Sequence, residues 1–538
     1  MRLVLRHITM AMLALLLFAG SSYAQHHKPQ LVVNIIVSSM RANDLTRYAD
    51  NFTEGGFKRL MNEGINYTAA YYNYATTTTA AGLATFTTGA QPAVHGVVGE
   101  NWWNPTDSSY TTLIGDNKSY PVPFSTGAGN YSAQRLIAPT IGDMLLGADS
   151  KSKHFSIAVD PLSAIVVNGK CGTPFWVEKN QTHWTSASAF IESLPQWISD
   201  YNRHDTNSYY ALSKWTTLYD TKLYHNSQVC IVEGIKGKAT QLITDVNLKL
   251  ANSDIGKMCY TPAGNTMLLK FASSLITMED LAGDTSTDIL NIVLDTPRYI
   301  ATTYGPESIE YEDMLYRLDR DIAEFLTYIY AQVDNPSKIV VIVSSDHGTS
   351  PSYNNTDNKE HNRINSRQME VITNAFLGAK YGSDNYIVGY ANKALYLNHQ
   401  AIIAKKLSVD DIREEVATFV HQLRGVAIAR SATALRNASF NQGRAGLIQQ
   451  SYYPIRSGDV VMDFMPGWII ENSDMRSSSE GGYNYDRHVP LLIYGGAIKG
   501  QTVHRTIDMT TVAPTICHIV GIEVPWASTN EILTEIQR

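Results

Sequence analysis

Ile339-Val340-Val341-Ile342-Val343-Ser344-Ser345, followed directly by Asp346-His347-Gly348, decides the fold. An unbroken apolar run of this length predicts a strand covered on both faces, as in a parallel sheet. The Asp-His pair at the strand's C-terminal end offers a carboxylate and an imidazole together, donors suited to a borderline cation such as zinc. Upstream, Met314, Leu318, Ile322, Phe325 and Ile329 recur at helical spacing, with Arg317, Asp319, Arg320 and Asp321 between them. The spacing predicts a helix that opens at Pro306 and feeds the strand. Leu31 to Val37 is a second buried strand, and Phe57 to Met61 a short helix stopping near Gly64. Thr76 to Thr79 lead into Ala80-Ala81-Gly82-Leu83-Ala84, small residues suited to a tightly packed helix start. Strand, helix and strand at these lengths imply right-handed crossovers and a mostly parallel α/β sheet.

Residues 366–479 read differently. Ser408 to Glu415 starts a helix with an acidic first turn, and Asp459–Phe464 with Trp468–Ile470 flank Met465-Pro466-Gly467 as a hairpin. This block is expected to be an inserted, smaller α+β lobe, with the core formed by 25–365 and 480–538. Tyr485 to Gly495 returns to the sheet, and Thr510 to Ile516 begins a terminal helix.

The 538 residues carry a net charge of −7 and a pI near 6.1, which disfavours a nucleic acid or an anionic membrane as partner. Met1 to His7 is a basic start, Ile8 to Gly20 an apolar run and Ser22-Tyr23-Ala24 a small-x-Ala site. This pattern predicts a signal peptide over 1–24 and a periplasmic or secreted chain. No later segment reads as a transmembrane helix. The four cysteines form no C-x-x-C pair. Cys230 with Cys259 is a candidate disulfide, and Cys517 a buried thiol.

These residues resemble the alkaline phosphatase superfamily, in its threonine-nucleophile branch of secreted bacterial phosphatases, which is type I phosphodiesterase/nucleotide pyrophosphatase-like. The resemblance rests on Phe57 to Leu60, Thr76 to Gly89, His95-Gly96-Val97-Val98-Gly99, Arg317 to Asp321, Ser345 to Gly348, Tyr485 to Leu491 and Val512 to Thr515. It implies a three-layer sandwich and a two-zinc site that activates a threonine nucleophile and clamps the phosphoryl oxygens. Thr79 holds the nucleophile position, and Asp346 and His347 hold two metal positions. The other positions are altered. Ser38 stands where the family has a metal-binding aspartate, Glu100 where it has an asparagine, and Asp160-Pro161-Leu162 where it has a Lys-x-Arg clamp. Arg298 and Thr302 stand at an Asp-x-x-x-His pair, and Ser479 to Gly482, including Glu480, where a histidine is due.

Three readings follow. The first is a catalytically inactive pseudoenzyme, a binding or assembly component with a protein partner in the cell envelope and a possible association with the outer membrane. It expects no cofactor, zinc entering only if the residual Asp346/His347 site is functional. The second is a weak or altered metal-dependent phosphomonoesterase or phosphodiesterase using Thr79, Asp346 and His347. The third is a glycan-binding scaffold built on Trp102, Trp103, Tyr71, Tyr72 and Tyr74. Arg298 is expected to replace a lost metal charge by pairing with Asp346, Glu100 or Glu480.

Overall fold

The structure is a computed structural model that describes residues 28–123, 129–178, 183–204, 215–226, 258, 261–352, 363–470, 475–496, 498–528 and 531–536. The expected signal peptide and the Cys230–Cys259 pairing lie outside the described residues. Cys517 is buried, and Cys171 is exposed.

The central sheet contains β1 (Leu31–Val37), β2 (Ile65–Tyr71), β3 (Pro121–Val122), β4 (His154–Ala158), β5 (Thr173–Val177), β6 (Trp184–Ala187), β7 (Asp288–Leu294) and β8 (Ile339–Ser344). Four strands elsewhere in the chain are β9 (Ile387–Ala391), β10 (Ala394–Leu397), β11 (Val426–Ser431) and β12 (Val460–Phe464). The chain then rejoins the central sheet through β13 (His488–Gly495) and β14 (Gln501–Val503). The spatial order is β14-β2-β13-β8-β1-β7-β4-β5-β6-β3. From β8 to β5 all neighbours are parallel, while β13 runs antiparallel to both β8 and β2.

Alternation along β1 divides the interior in two. Leu31, Val33, Ile35 and Val37 face one core, together with α2 (Ala263–Met278) and α4 (Ile309–Ala331). Val32 and Ile36 face the other, together with α1 (Thr79–Thr88) and α7 (Val512–Val520). A central strand buried on both faces can be apolar at every position, so the run in the sequence is continuous. The result is the expected three-layer α/β sandwich.

Several local readings need correction. The long helix starts at Ile309 rather than Pro306, because the Ser308 hydroxyl accepts from the Tyr311 N–H and caps it. Asp319 lies between the apolar positions of the helix. It is fully buried and accepts from the Thr53 and Phe57 N–H groups, tying α4 to the start of the helix at Phe57. The expected hairpin does not form. β12 pairs with β10 and β11, whereas Ile469–Ile470 pairs with Arg363–Ile364, because the turn after Phe464 carries the chain out of the β12 sheet.

β9 to β12 form a separate four-stranded antiparallel sheet. It packs with α5 (Val409–His421) around its own apolar cluster, including Leu395, Val416, Val420, Met462 and Phe464. α6 (Gly443–Ser451) joins β11 to β12. No helix among the described residues is long and apolar enough to cross a membrane.

Candidate active site

Four neighbouring parallel strands deliver the site. Ser38 follows β1, Asp346 follows β8, Asp295 follows β7, and Asp160 lies just beyond β4. Open α/β sheets present their ligand sites at these carboxyl ends.

α1 brings the threonine. Thr78 is its N-cap, its hydroxyl accepting from the Ala81 N–H at 3.3 Å. Thr79 is therefore not the cap. It is the first helical residue, and its hydroxyl lies 3.1 Å from His347 Nε2. The close approach depends on Gly82, where a Cβ would sit 1.9 Å from the Asp346 carbonyl oxygen.

His347 is fully buried, and its Nδ1 lies 2.7 Å from the Gly348 carbonyl oxygen. A carbonyl only accepts, so Nδ1 carries a proton and donates to it, which leaves Nε2 turned to the Thr79 hydroxyl. Asp346 Oδ2 lies 3.3 Å from the same Nε2, so a proton arriving there meets a carboxylate. Asp346 is held by the Ser38 hydroxyl at 2.7 Å, the Ser39 N–H at 3.1 Å and its neighbour's His347 N–H at 2.9 Å. Tyr72 donates to the Ser345 carbonyl at 2.8 Å and pins the same turn.

Above this cluster lies a cavity of about 680 Å³ whose lining includes Ser39, Thr79, Glu100, Arg298, Thr302 and Glu480. Of the altered positions scattered in sequence, Glu100, Arg298, Thr302, Ser479 and Glu480 therefore converge on one chamber with the threonine, while Ser38 and Asp160 to Leu162 are not among its lining residues. Arg298 does not compensate Asp346. Its ion pairs go to Asp295 at 3.3 Å and Asp160 at 3.5 Å, and Tyr299 donates to the same Asp160 carboxylate. The reason is local: Arg298 sits one helical turn after Asp295 in α3 (Thr296–Tyr304). Burial opposes the Arg298 charge, but Tyr299, Asp295, Asp160 and Glu100 keep its pKa well above the ordinary value. Burial likewise pushes Asp295 up to about 6 against the opposing pull of Arg298. Asp160 also caps the helix at Pro161 by accepting from the Leu162 N–H.

The donor set does not fit two zinc ions. Ser38, Arg298 and Thr302 supply no carboxylate or imidazole, and Asp346 is already occupied by hydrogen-bond donors. Among the described residues no three His, Cys, Asp or Glu side chains gather as a metal site. The five aromatic residues expected to form a glycan platform do not gather as one, Trp103 packing edge-on to Tyr110 against the core. Trp102, Tyr72 and Tyr74 are buried in the core, and Tyr71 stacks on His488.

The reading of the sequence missed Asp295 as the partner of Arg298, and Ser39 and Asn392 as cavity-lining residues. Asp295 had a signal, since it ends an apolar strand as Asp346 does. Asn392 had none, because it arrives from the separate sheet.

The model of the type I phosphodiesterase / nucleotide pyrophosphatase family matches residues 32–488. The alkaline phosphatase PafA of Elizabethkingia meningoseptica is 29% identical over 518 residues, covering 95% of this chain and 94% of that protein. The alkaline phosphatase PhoV of Synechococcus elongatus is 26% identical, with 95% and 93% covered. A protein of Myroides odoratus named as a calcium-transporting ATPase is 29% identical, with 96% of each chain covered. The crystal structure of wild-type PafA superimposes with a TM-score of 0.87 at 28% identity, covering 94% of this chain and 99% of that one. These relatives overturn the expectation of an inactive binding or assembly component. That expectation counted missing ligands one by one. It could not see that Thr79 and His347 meet beneath a cavity, in a chain matched over 95% of its length by proteins named as alkaline phosphatases.

Proposed function

We propose that this chain, which belongs to the type I phosphodiesterase / nucleotide pyrophosphatase family, is an altered phosphoric-ester hydrolase with Thr79 as nucleophile and His347 as its proton acceptor. The observation that carries the reading is the 3.1 Å contact between the Thr79 hydroxyl and His347 Nε2 beside the cavity. A threonine hydroxyl is a weak nucleophile near neutral pH and needs an adjacent base. Nε2 takes the proton as Thr79 Oγ1 bonds to phosphorus and the ester P–O bond breaks. The imidazolium is stabilised by Asp346 and returns its proton to the departing oxygen. Water then attacks the phosphothreonine, His347 accepting its proton and passing it to Thr79 Oγ1 as the Oγ1–P bond breaks, which restores the hydroxyl and the base.

Arg298 is the cation lining the cavity and the group suited to the phosphoryl oxygens. Glu100 and Glu480 line the same chamber. A diester with one negative charge meets less repulsion there than a monoester with two. The family's zinc pair does not fit these residues. Asp346 and His347 are the donors a single cation would find. The basic, apolar and small-residue start of the chain supports export to the periplasm or beyond.

The test is turnover of bis(p-nitrophenyl) phosphate and p-nitrophenyl phosphate by the purified chain, before and after chelation. Thr79→Ala and His347→Gln should each lower diester turnover by about 10²-fold or more. Hydrolysis that survives Thr79→Ala unchanged, or no hydrolysis of either ester, defeats the reading.

A further inference from the structure

β9 and β10 are joined by two residues, Asn392 and Lys393, with φ of 50° and 59°. Both are left-handed, the conformation of a tight hairpin turn that favours Asn-Gly. Asn is at home in the first place. Lysine in the second is strained, and such strain persists where the surrounding structure holds it. The side chain is unusual as well. Lys393 is 3% exposed, and a buried ammonium is costly unless paired and hydrogen-bonded. Its Nζ donates to Asp463 Oδ1 at 2.9 Å and to the Ala75 carbonyl oxygen at 3.1 Å.

Ala75 lies four residues before the nucleophile. Its N–H is held by the Leu447 carbonyl and the Ser451 hydroxyl, and the Thr76 N–H goes to the same hydroxyl at 2.9 Å. Thr77 Oγ1 donates to the Ser479 carbonyl and accepts from the Gly482 N–H. Each residue from Ala75 to Thr77 is thus fixed from outside α1, and Lys393 supplies the charged member of that set. Asn392 reaches the other wall of the cavity, donating to the Asn101 carbonyl at 2.6 Å beside Glu100.

We propose that the Asn392–Lys393 turn is a positioning device for the nucleophile, the Lys393 ammonium clamping the Ala75 carbonyl and thereby fixing the segment that carries Thr79. The proposal rests on the reading of Thr79 given above. Lys393 touches neither ester nor phosphoryl group, so it is a positioning residue. The groups that face it are Asp463 on β12, Arg444 on α6, and Glu480 and Asp486 on the segment before β13. Burial lowers the ammonium to about 8, Arg444 acts in the same direction, and Glu480 and Asp486 oppose it. Asp463 also pairs with Arg444, so the clamp sits in an ionic group built by the smaller sheet and α6.

The experiment compares the wild type with Lys393→Met, Lys393→Arg and the double variant Lys393→Met with Asp463→Asn. The double variant avoids leaving Asp463 as a carboxylate without its ammonium. Amide hydrogen exchange is read over residues 75–82, with residues 31–37 and 339–344 as internal reference. Hydrolysis of bis(p-nitrophenyl) phosphate is followed in parallel. In Lys393→Met and the double variant, exchange over 75–82 should accelerate about tenfold or more while the reference strands stay unchanged. kcat should fall about 10–100-fold with KM within about twofold, as expected for a misplaced nucleophile. Lys393→Arg should restore most of the slow exchange and of kcat. Unchanged exchange over 75–82 overturns the proposal, as does a loss confined to KM. Faster exchange in a chain whose wild type hydrolyses neither ester supports the clamp and defeats the Thr79 reading.

Discussion

Ser38 shows how one side chain resets a site. Its hydroxyl donates to Asp346 Oδ2 at 2.7 Å, so the carboxylate is satisfied by a neutral neighbour. Ser38→Asp would remove that donor and set two buried carboxylates against each other. We expect a loss of about 2–4 kcal/mol in stability, since a buried charge without a partner is costly. Added zinc should recover part of it by bridging the pair. Thermal unfolding of Ser38→Asp with and without zinc reads both effects, and a variant as stable as the wild type without metal would contradict the account. Gly82 acts through space rather than charge. A Cβ there would lie 1.9 Å from the Asp346 carbonyl oxygen and 2.6 Å from its carbon, both backbone atoms. Gly82→Ala should therefore separate α1 from the end of β8, cost about 3 kcal/mol or more, and abolish diester turnover. Urea unfolding and turnover measured on the same preparation check this.

At the scale of an element, α4 carries a buried acid that the site does not use. Glu310 lies in the helix's first turn and is 7% exposed, and its Oε2 has no hydrogen-bond partner. Burial, reinforced by Asp313, pushes it from 4.5 up to about 7 despite opposing hydrogen bonds. The native chain keeps this proton up to about pH 7, whereas the unfolded chain releases it near 4.5. The stability linked to Glu310 is thus full below about 4.5 and is lost as pH rises through about 7. Glu310→Gln has no proton to lose. Its stability relative to the wild type should rise by about 1–3 kcal/mol between pH 4.5 and 8. Urea midpoints at the two pH values measure it, and a difference independent of pH would refute the assignment. The helix at Thr79 makes a related point. Its cap falls to Thr78, and that one-residue choice frees Thr79 to face His347.

The whole molecule has a double-faced central sheet and a smaller sheet with its own apolar cluster. The central strands are buried on both faces, while β9 and β11 carry half-exposed positions. Cooperative units with fewer buried contacts open at lower free energy. Hydrogen exchange in rising urea should therefore release amides of 387–391 and 426–431 before those of 31–37, 288–294 and 339–344. Simultaneous release of both sets would show that the two sheets unfold as one unit.

The sequence by itself determined the double-faced sheet, because continuous apolar runs such as Leu31–Val37 and Ile339–Val343 suit only strands covered on both sides. It also determined α4, whose period of buried residues is local, and it marked Thr79, Asp346, His347 and the altered positions by their order along the chain. It did not determine which groups answer one another. Arg298 turned to Asp295 one helical turn away and to Asp160 across 138 residues, and Asp346 was satisfied by Ser38 across 308 residues. It gave no sign that Lys393, from a separate sheet, holds the backbone before the nucleophile. Periodicity and capping act over a few residues and leave a local signature. Partner choice among buried charges depends on distances of a few ångströms between segments far apart in sequence, and only the packed chain sets those distances.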